Sequence, residues 1–262
     1  MTIDEWLGSS TAKLKDAGIE SARLDCLLIL ESISQKDKNW ILTHGDKIIT
    51  DDALAKFNEM LERRSKREPL AYITGKKEFY GYNFHVTSDV LVPRPETEAL
   101  VTYLVKEAPN SGQVLDLGTG SGCIAIASKL QRPDLHFTAS DISKPALEIA
   151  KKNSDVLGAK VNFVESNLFK GITGRFNFIA ANLPYVTRFA HLEDELNFEP
   201  ELALFADNDG LDLYEKFFQE VEGYLEPNGT IIIEHDPKQF SWLLSFTRRR
   251  AQRISNFITA FN

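Results

Sequence analysis

The stretch "FNFIAANLPYV" places Asn182, Leu183, Pro184 and Tyr185 directly after an apolar run. An amide or aromatic amine is a poor nucleophile because its lone pair is delocalised, so acceptors that draw on its two hydrogens favour reaction at nitrogen. The Asn182 side-chain oxygen and the Leu183 carbonyl are two such acceptors. Aimed at hydrogens that become more acidic in the transition state, they stabilise that state preferentially. Pro184 fixes its own φ and pushes Leu183 out of the helical region, which exposes the carbonyl. Tyr185 can lay its face on a planar substrate group, and near a cation its ring quadrupole helps. The simpler reading of the same residues is a Pro-Tyr turn that ends a strand.

A second constellation lies in "VLDLGTGSGCIAIA", where Asp116, Gly118, Thr119, Gly120, Ser121 and Gly122 stand between a strand and a helix. Glycines let the backbone turn sharply and approach a ligand, and the helix start offers free N–H groups. The spacing is GxGxG, with Cys123 where the nicotinamide fingerprint needs glycine, so a dehydrogenase is disfavoured. Asp141 in "FTASDIS" ends the next strand, where a carboxylate can accept both hydroxyls of a ribose. The alternative is a tight turn with Asp141 capping the following helix.

These residues need a scaffold, and the pattern supplies one. From residue 96 onward short, almost wholly apolar strands alternate with amphipathic helices: "QVLDLG", "HFTASD", "KVNFVES", "FNFIAAN" and "GTIIIEH" against "ETEALVTYLVKEA", "CIAIASKLQ", "KPALEIAKKNSDVLG" and "GLDLYEKFFQEVEGYL". This predicts an α/β fold with a parallel sheet covered on both faces, its ligands at the carboxyl ends of the strands. Residues 1–68 read as a helical N-terminal domain, with Asp51 as a helix N-cap. Residues 69–92, rich in aromatic and β-branched residues, read as a β-hairpin linker to the main domain at 93–262.

Composition narrows the classes. The 262 residues carry a formal charge of −8, which argues against affinity built on neutralising many phosphates. Direct nucleic-acid binding is therefore not expected. No apolar run approaches a membrane span, and the first residues lack the features of a secretory signal, so a cytoplasmic protein is expected. A monomer is expected separately, with no sequence feature that fixes the oligomeric state. Cys26 and Cys123 have no metal-ligand or redox spacing, and no metal is assigned. The run "HLEDE" reads as solvated surface.

The D-x-G-x-G-x-G loop followed by such an acid resembles the S-adenosylmethionine-binding, Rossmann-like sheet of class I methyltransferases. The resemblance implies that the glycine loop lies against the methionyl part and that Asp141 holds the ribose. It also places Asn167 and Leu168 of "ESNLF" at the adenine, with Asn167 standing where relatives commonly have Asp. The NLPY tetrapeptide resembles the (N/D)-P-P-(Y/F/W) motif of amino-methyltransferases, which adds Asn182 to the residues at the cofactor. "REPLAYITGKKEFYGYNFHV", "VLVPRPETEALV", "SDISKPALEIAKKN" and "NFEPELALFADNDGLDLYEKF" extend the likeness over residues 66–235. Together they are similar to the protein-(glutamine-N5) methyltransferases of peptide-chain release factors, the HemK or PrmC family. That likeness implies S-adenosyl-L-methionine as donor, S-adenosyl-L-homocysteine as product, and the glutamine of a Gly-Gly-Gln motif in a class 1 release factor as acceptor.

"VPRPETEAL" is either a turn into a helix or also a wall of the site, and "FEPELAL" either a capped loop or a support for the NLPY turn. Three features depart from the family. Leu183 replaces its usual proline, a form typical of rRNA adenine dimethyltransferases, so RNA or DNA adenine N6 is the alternative acceptor. His235 and Asp236 follow the fifth strand where the family has an apolar residue and a glycine. The tail "FTRRRAQRISNFITAFN" departs from the family's final antiparallel strand pair, so a shortened or altered sheet edge is expected. A binding module without catalysis is the third reading.

Overall fold

The computed structural model describes residues 1–187 and 194–262, in two compact units: residues 1–75 with 194–198, and residues 76–187 with 199–262. Unit one holds helices α1 (Ile3–Asp16), α2 (Ala22–Ser34), α3 (Lys38–Thr43), α4 (Asp51–Ser65) and α5 (Leu70–Thr74). Thr2 and Glu5 form a reciprocal capping box that starts α1. Thr50, not the expected Asp51, caps α4. Its backbone is extended and its hydroxyl accepts from Ala53 N, whereas Asp51 and Asp52 sit inside the first turn, where carboxylates suit the helix dipole. Trp6, Leu14, Ile29, Leu30 and Ile41 form the core of this unit.

Arg64 of α4 is buried and pairs with Asp25 of α2 at 2.7 Å and with Glu195 at 3.2 Å. Residues 191–193 of the "HLEDE" run lie outside the described residues. Glu195, from the same run, is an ion-pair partner of Arg64 and Arg67 rather than a purely solvated charge. A lone carboxylate next to a buried guanidinium is drawn in because leaving that cation with fewer partners is costly.

Unit two opens with the antiparallel hairpin β1 (Lys76–Phe79) and β2 (Tyr82–His85). The stretch from residue 69 thus begins with helix α5 before its hairpin. The strands β3 (Gln113–Leu117), β4 (His136–Asp141), β5 (Asn162–Glu165), β6 (Phe176–Ala181), β7 (Leu225–Glu234), β8 (Ala251–Arg253) and β9 (Ile258–Phe261) build one sheet among the described residues. Its order is β5-β4-β3-β6-β7-β9-β8, parallel from β5 through β7, with β9 antiparallel to both β7 and β8. The helices of this unit are α6 (Glu98–Glu107), α7 (Cys123–Gln131), α8 (Lys144–Leu157), α9 (Glu201–Leu204), α10 (Asp212–Glu220) and α11 (Phe240–Phe246).

Successive strand residues alternate between two apolar cores. Val114, Phe178, Ala180 and Ile232 meet Leu100 and Leu104 of α6 and Ile124 of α7. Leu115, Ile179, Ala181, Ile231 and Ile233 meet Tyr214 and Phe217 of α10 and Leu243 of α11. Both faces are covered, which explains why the strands lack polar alternation. The expected α/β, Rossmann-like sheet with a helical N-terminal region is therefore present. Among the described residues no helix is long and apolar enough to cross a membrane.

The closing edge of the sheet is formed by a short antiparallel pair, β8 of three residues and β9 of four. All four residues of β9 are buried beside β7. His235, fully buried, helps to fix them: its N–H donates to Phe257 O at 2.8 Å, and its ring meets Asp236 O at 2.8 Å and Thr259 Oγ1 at 2.9 Å. Since Nδ1 faces a carbonyl, it carries the proton and Nε2 accepts from the threonine hydroxyl. Burial lowers the imidazole pKa and keeps the ring neutral. Asp236, in place of glycine, caps the following 3-10 turn Pro237–Gln239.

Candidate active site

The sheet delivers the residues singled out by sequence to the carboxyl ends of β3, β4, β5 and β6. After β3 the chain turns through Gly118, Gly120 and Gly122, all at positive φ. A Cβ on Gly122 would stand 2.7 Å from Ile126 Cδ1 and 3.1 Å from Ala150 Cβ, so this position needs glycine for close packing as well as for its backbone. A Cβ on Gly118 would lie 3.1 Å from Leu183 Cδ2, which shows how tightly the loop abuts the NLPY turn.

Asp116 lies fully buried beneath the loop. Its Oδ2 accepts from Thr119 Oγ1 at 2.6 Å and Ala125 N at 3.2 Å, while Oδ1 has no hydrogen-bond partner among the described residues. Desolvation, with Asp141 nearby, pushes the carboxyl up to about 6. Asp141 closes β4 and accepts from Gly120 N at 2.8 Å and Ser143 N at 2.9 Å. Burial raises its pKa also. Ser143, not Asp141, is the N-cap of α8, its hydroxyl accepting from Ala146 N. The acid thus ties the glycine loop to the strand rather than serving the helix.

Beyond β5, Asn167 and Leu168 sit in a turn held by Ser166, whose hydroxyl donates to Leu168 O and accepts from Gly171 N. Leu168 is held at φ 49°. Ser166 was not singled out by sequence. Its signal was present, a small hydroxyl at a strand end, but such residues close many turns.

After β6, Leu183 is buried and its N–H donates to the Tyr214 hydroxyl at 3.3 Å. That hydroxyl in turn donates to the Glu234 carbonyl. The Glu234 side chain, 2% exposed, accepts from Thr97 Oγ1 at 2.6 Å and from the Tyr185 hydroxyl at 3.2 Å. Asn182 Nδ2 points to Thr97 Oγ1 at 3.4 Å. Burial raises the pKa of Glu234 and, together with the Glu234 charge, that of Tyr185. None of Thr97, Tyr214 and Glu234 was singled out. The signal for Glu234 was an acid directly after the apolar run 231–233 at the carboxyl end of β7.

One cleft is lined by residues 118–121, Asp141, Asn167, Leu168 and residues 182–184. Asp116, Gly122 and Tyr185 do not line it. Asp116 and Gly122 support the loop from below, and Tyr185 packs against the α10 core with its hydroxyl on Glu234. Both ambiguous segments contribute to the site, and "FEPELAL" has no side-chain cap at the start of α9. Pro93, Arg94 and Thr97 wall the cleft, as do Pro200, Leu202 and Ala203. Buried Glu199 joins those walls, accepting from Val92 N at 3.1 Å and from Arg94. Val186 N donates to Leu204 O and Ala206 N to Val186 O, each at 3.0 Å, which braces the turn.

The arrangement gathers the glycine turn, the Asp141 carboxylate, the Asn182 amide and Leu183 around one space. The PrmC N-terminal domain model matches residues 5–75, and the methyltransferase small domain model matches residues 95–196. A release factor glutamine methyltransferase of Neisseria gonorrhoeae is 38% identical over 240 residues, spanning 90% of this chain and 85% of that protein. One of Deinococcus radiodurans is 36% identical, spanning 91% and 87%. Among solved structures, a Thermus thermophilus 16S rRNA N2 G1207 methyltransferase in complex with AdoMet and guanosine superposes with a TM-score of 0.55 at 18% identity, over 71% of this chain and 49% of that one. A Pyrococcus furiosus methyltransferase gives 0.52 at 14%, over 80% and 96%. The structural likenesses establish the fold, and the curated relatives establish the lineage: this chain belongs to the release factor glutamine methyltransferase family and is a methyltransferase.

Proposed function

We propose that this enzyme methylates the side-chain amide nitrogen of the glutamine in the Gly-Gly-Gln motif of a class 1 peptide-chain release factor, using S-adenosylmethionine. The observation that carries the reading is that Asn182 and Leu183 face the same cleft as the glycine loop, Asp141, Asn167 and Leu168. The donor fits the residues present. Asp116, buried beneath the loop, favours a cationic group in the cleft above it through its charge, and Asp141 has lone pairs beyond its bonds to Gly120 N and Ser143 N for a ribose diol. Asn167 and Leu168 would flank the adenine.

Bound there, S-adenosylmethionine supplies an electrophilic methyl group on a sulfonium. Asn182 Oδ1 and the Leu183 carbonyl accept the two hydrogens of the glutamine amide, holding its nitrogen in line and stabilising the charge that develops there. Leu183 serves through its carbonyl, so replacement of proline by leucine leaves the acceptor in place. Tyr185 contributes by bracing the turn through Glu234. The adenine-N6 alternative is not favoured by the curated relatives.

Incubation with labelled S-adenosylmethionine and a release factor tests the reading. Label is expected on the wild-type factor and not on its Gln→Ala variant. Equal labelling of the two, or labelling of rRNA in preference to protein, would overturn it.

A further inference from the structure

The Asn182 amide can serve as an acceptor only if its oxygen, not its NH2, is turned to the cleft. The two ends are nearly isosteric, so something must impose the choice. Glu234 and Thr97 supply a directional chain. An ionised carboxylate accepts and cannot donate, so the Thr97 hydroxyl must give its proton to Glu234 Oε2, at 2.6 Å. The Thr97 oxygen then has lone pairs and no proton left to offer. What faces it must be a donor, and Asn182 Nδ2 faces it at 3.4 Å, with the Glu234 carboxylate as a further acceptor for the same amide.

We infer that Glu234 and Thr97 are positioning residues that set the polarity of the Asn182 amide, so that its Oδ1 is presented to the substrate NH2. This rests on the reading of Asn182 given above and adds what orients it. The bonds join the end of β7, the 3-10 turn Pro95–Thr97 and the end of β6, three segments far apart in the chain. Tyr185 extends the same logic, since its hydroxyl also donates to Glu234 and so depends on the carboxylate being an acceptor.

Protonation of Glu234 would reverse the chain. As a carboxylic acid it can donate to Thr97, whose hydroxyl then donates to Asn182 and draws the amide oxygen inward. Burial raises the Glu234 pKa, which moves this reversal toward the working pH range. The groups facing Glu234 are Glu96 and Thr97 on the 3-10 turn, Asn182 and Tyr185 after β6, Tyr214 on α10 and Cys123 on α7. Glu96 adds to the upward shift, and the hydroxyl and amide donors oppose it.

The test compares Thr97→Val, Thr97→Ser, Glu234→Gln and Asn182→Ala with wild type, measuring kcat, KM for the release factor, S-adenosylmethionine affinity by calorimetry, and the kcat–pH profile. Thr97→Val keeps the branched shape and removes the hydroxyl. It should lower kcat roughly 10- to 100-fold with both affinities unchanged, and Thr97→Ser should recover most of the rate. Wild-type kcat should fall on the acid side, and this limb should vanish in Glu234→Gln, which cannot titrate. An unchanged kcat in Thr97→Val overturns the inference. Should Thr97→Val fail to fold, Glu234→Gln decides: an acid limb identical to wild type overturns the inference, and its loss supports it. Turnover retained by Asn182→Ala would overturn the underlying reading instead, which separates the two failures.

Discussion

Asp116 shows what a single residue can reveal about use. A carboxylate that is fully buried with one oxygen unpartnered is costly by itself and becomes reasonable beside a cationic ligand. Its carboxyl, normally near 3.8, is pushed up to about 6 by desolvation. A folded-state value above the unfolded one means that its favourable contribution is complete below about 3.8 and is lost as pH rises through about 6. Above that range the buried charge weighs against the ligand-free fold by about 3 kcal/mol. Asp116→Asn removes the titration. The stability of Asp116→Asn relative to wild type should therefore rise by up to about 3 kcal/mol between pH 4 and pH 8, on top of any constant offset from the new amide. Urea unfolding of the ligand-free proteins across that range measures this, and a pH-independent difference would refute it. S-adenosylmethionine binding should weaken in the same variant.

At the scale of elements, the NLPY turn is held by segments that follow it in the chain. Gln239 Nε2 donates to Tyr185 O at 3.2 Å and to Asp209 O at 3.1 Å, joining the 3-10 turn Pro237–Gln239 and the turn at 207–211 to the active-site backbone. Gly210 permits this approach. It has φ +79°, and a Cβ there would overlap Tyr185 O and stand 2.7 Å from Gln239 Nε2. Gly210→Ala should cost about 1–2 kcal/mol in backbone strain and lower kcat roughly 10- to 100-fold by displacing the turn. Affinity for S-adenosylmethionine should fall less than kcat, because the glycine loop itself is set by β3 and α7 and only abuts Leu183. Calorimetry and steady-state kinetics on the variant check both halves. A wild-type kcat would show that the turn tolerates the shift.

Such bracing explains what could be read beforehand and what could not. The sheet strands, the glycine loop and the NLPY turn are written locally, as runs of apolar residues, glycines at fixed offsets and a proline. Glu234 and Thr97 are 137 residues apart, and nothing in either neighbourhood announces the other. The same holds for Glu195 on Arg64, whose burial comes from tertiary packing. Thr50 was missed for a different reason: Asp51 beside it is an equally good cap by type, and the backbone geometry that decides between them is visible only in three dimensions.

For the whole molecule, the sheet depends on its last strand. β9 lies between β7 and β8 in the sheet although it follows both in sequence, so the parallel core is finished by the final residues of the chain. Phe261, fully buried, packs edge-on against Phe218 of α10 with ring centroids 5.6 Å apart, and pairs across β9 to Ile231 and Ala251. His235 and Thr259 lock the same strand to β7 by their hydrogen bond. The closing edge is thus part of the core that holds Glu234 at the end of β7. Phe261→Ala should destabilise the protein by about 3–5 kcal/mol, the range for removing a buried aromatic ring. Val156 on α8, 75% exposed, provides the contrast: Val156→Ala should change stability by no more than about 0.5 kcal/mol. Denaturant unfolding of the two variants side by side measures the difference. Equal, small effects would mean that β9 lies on the sheet without being needed for it, and the positioning of Glu234 would then have to come from β6 and the 3-10 turn alone.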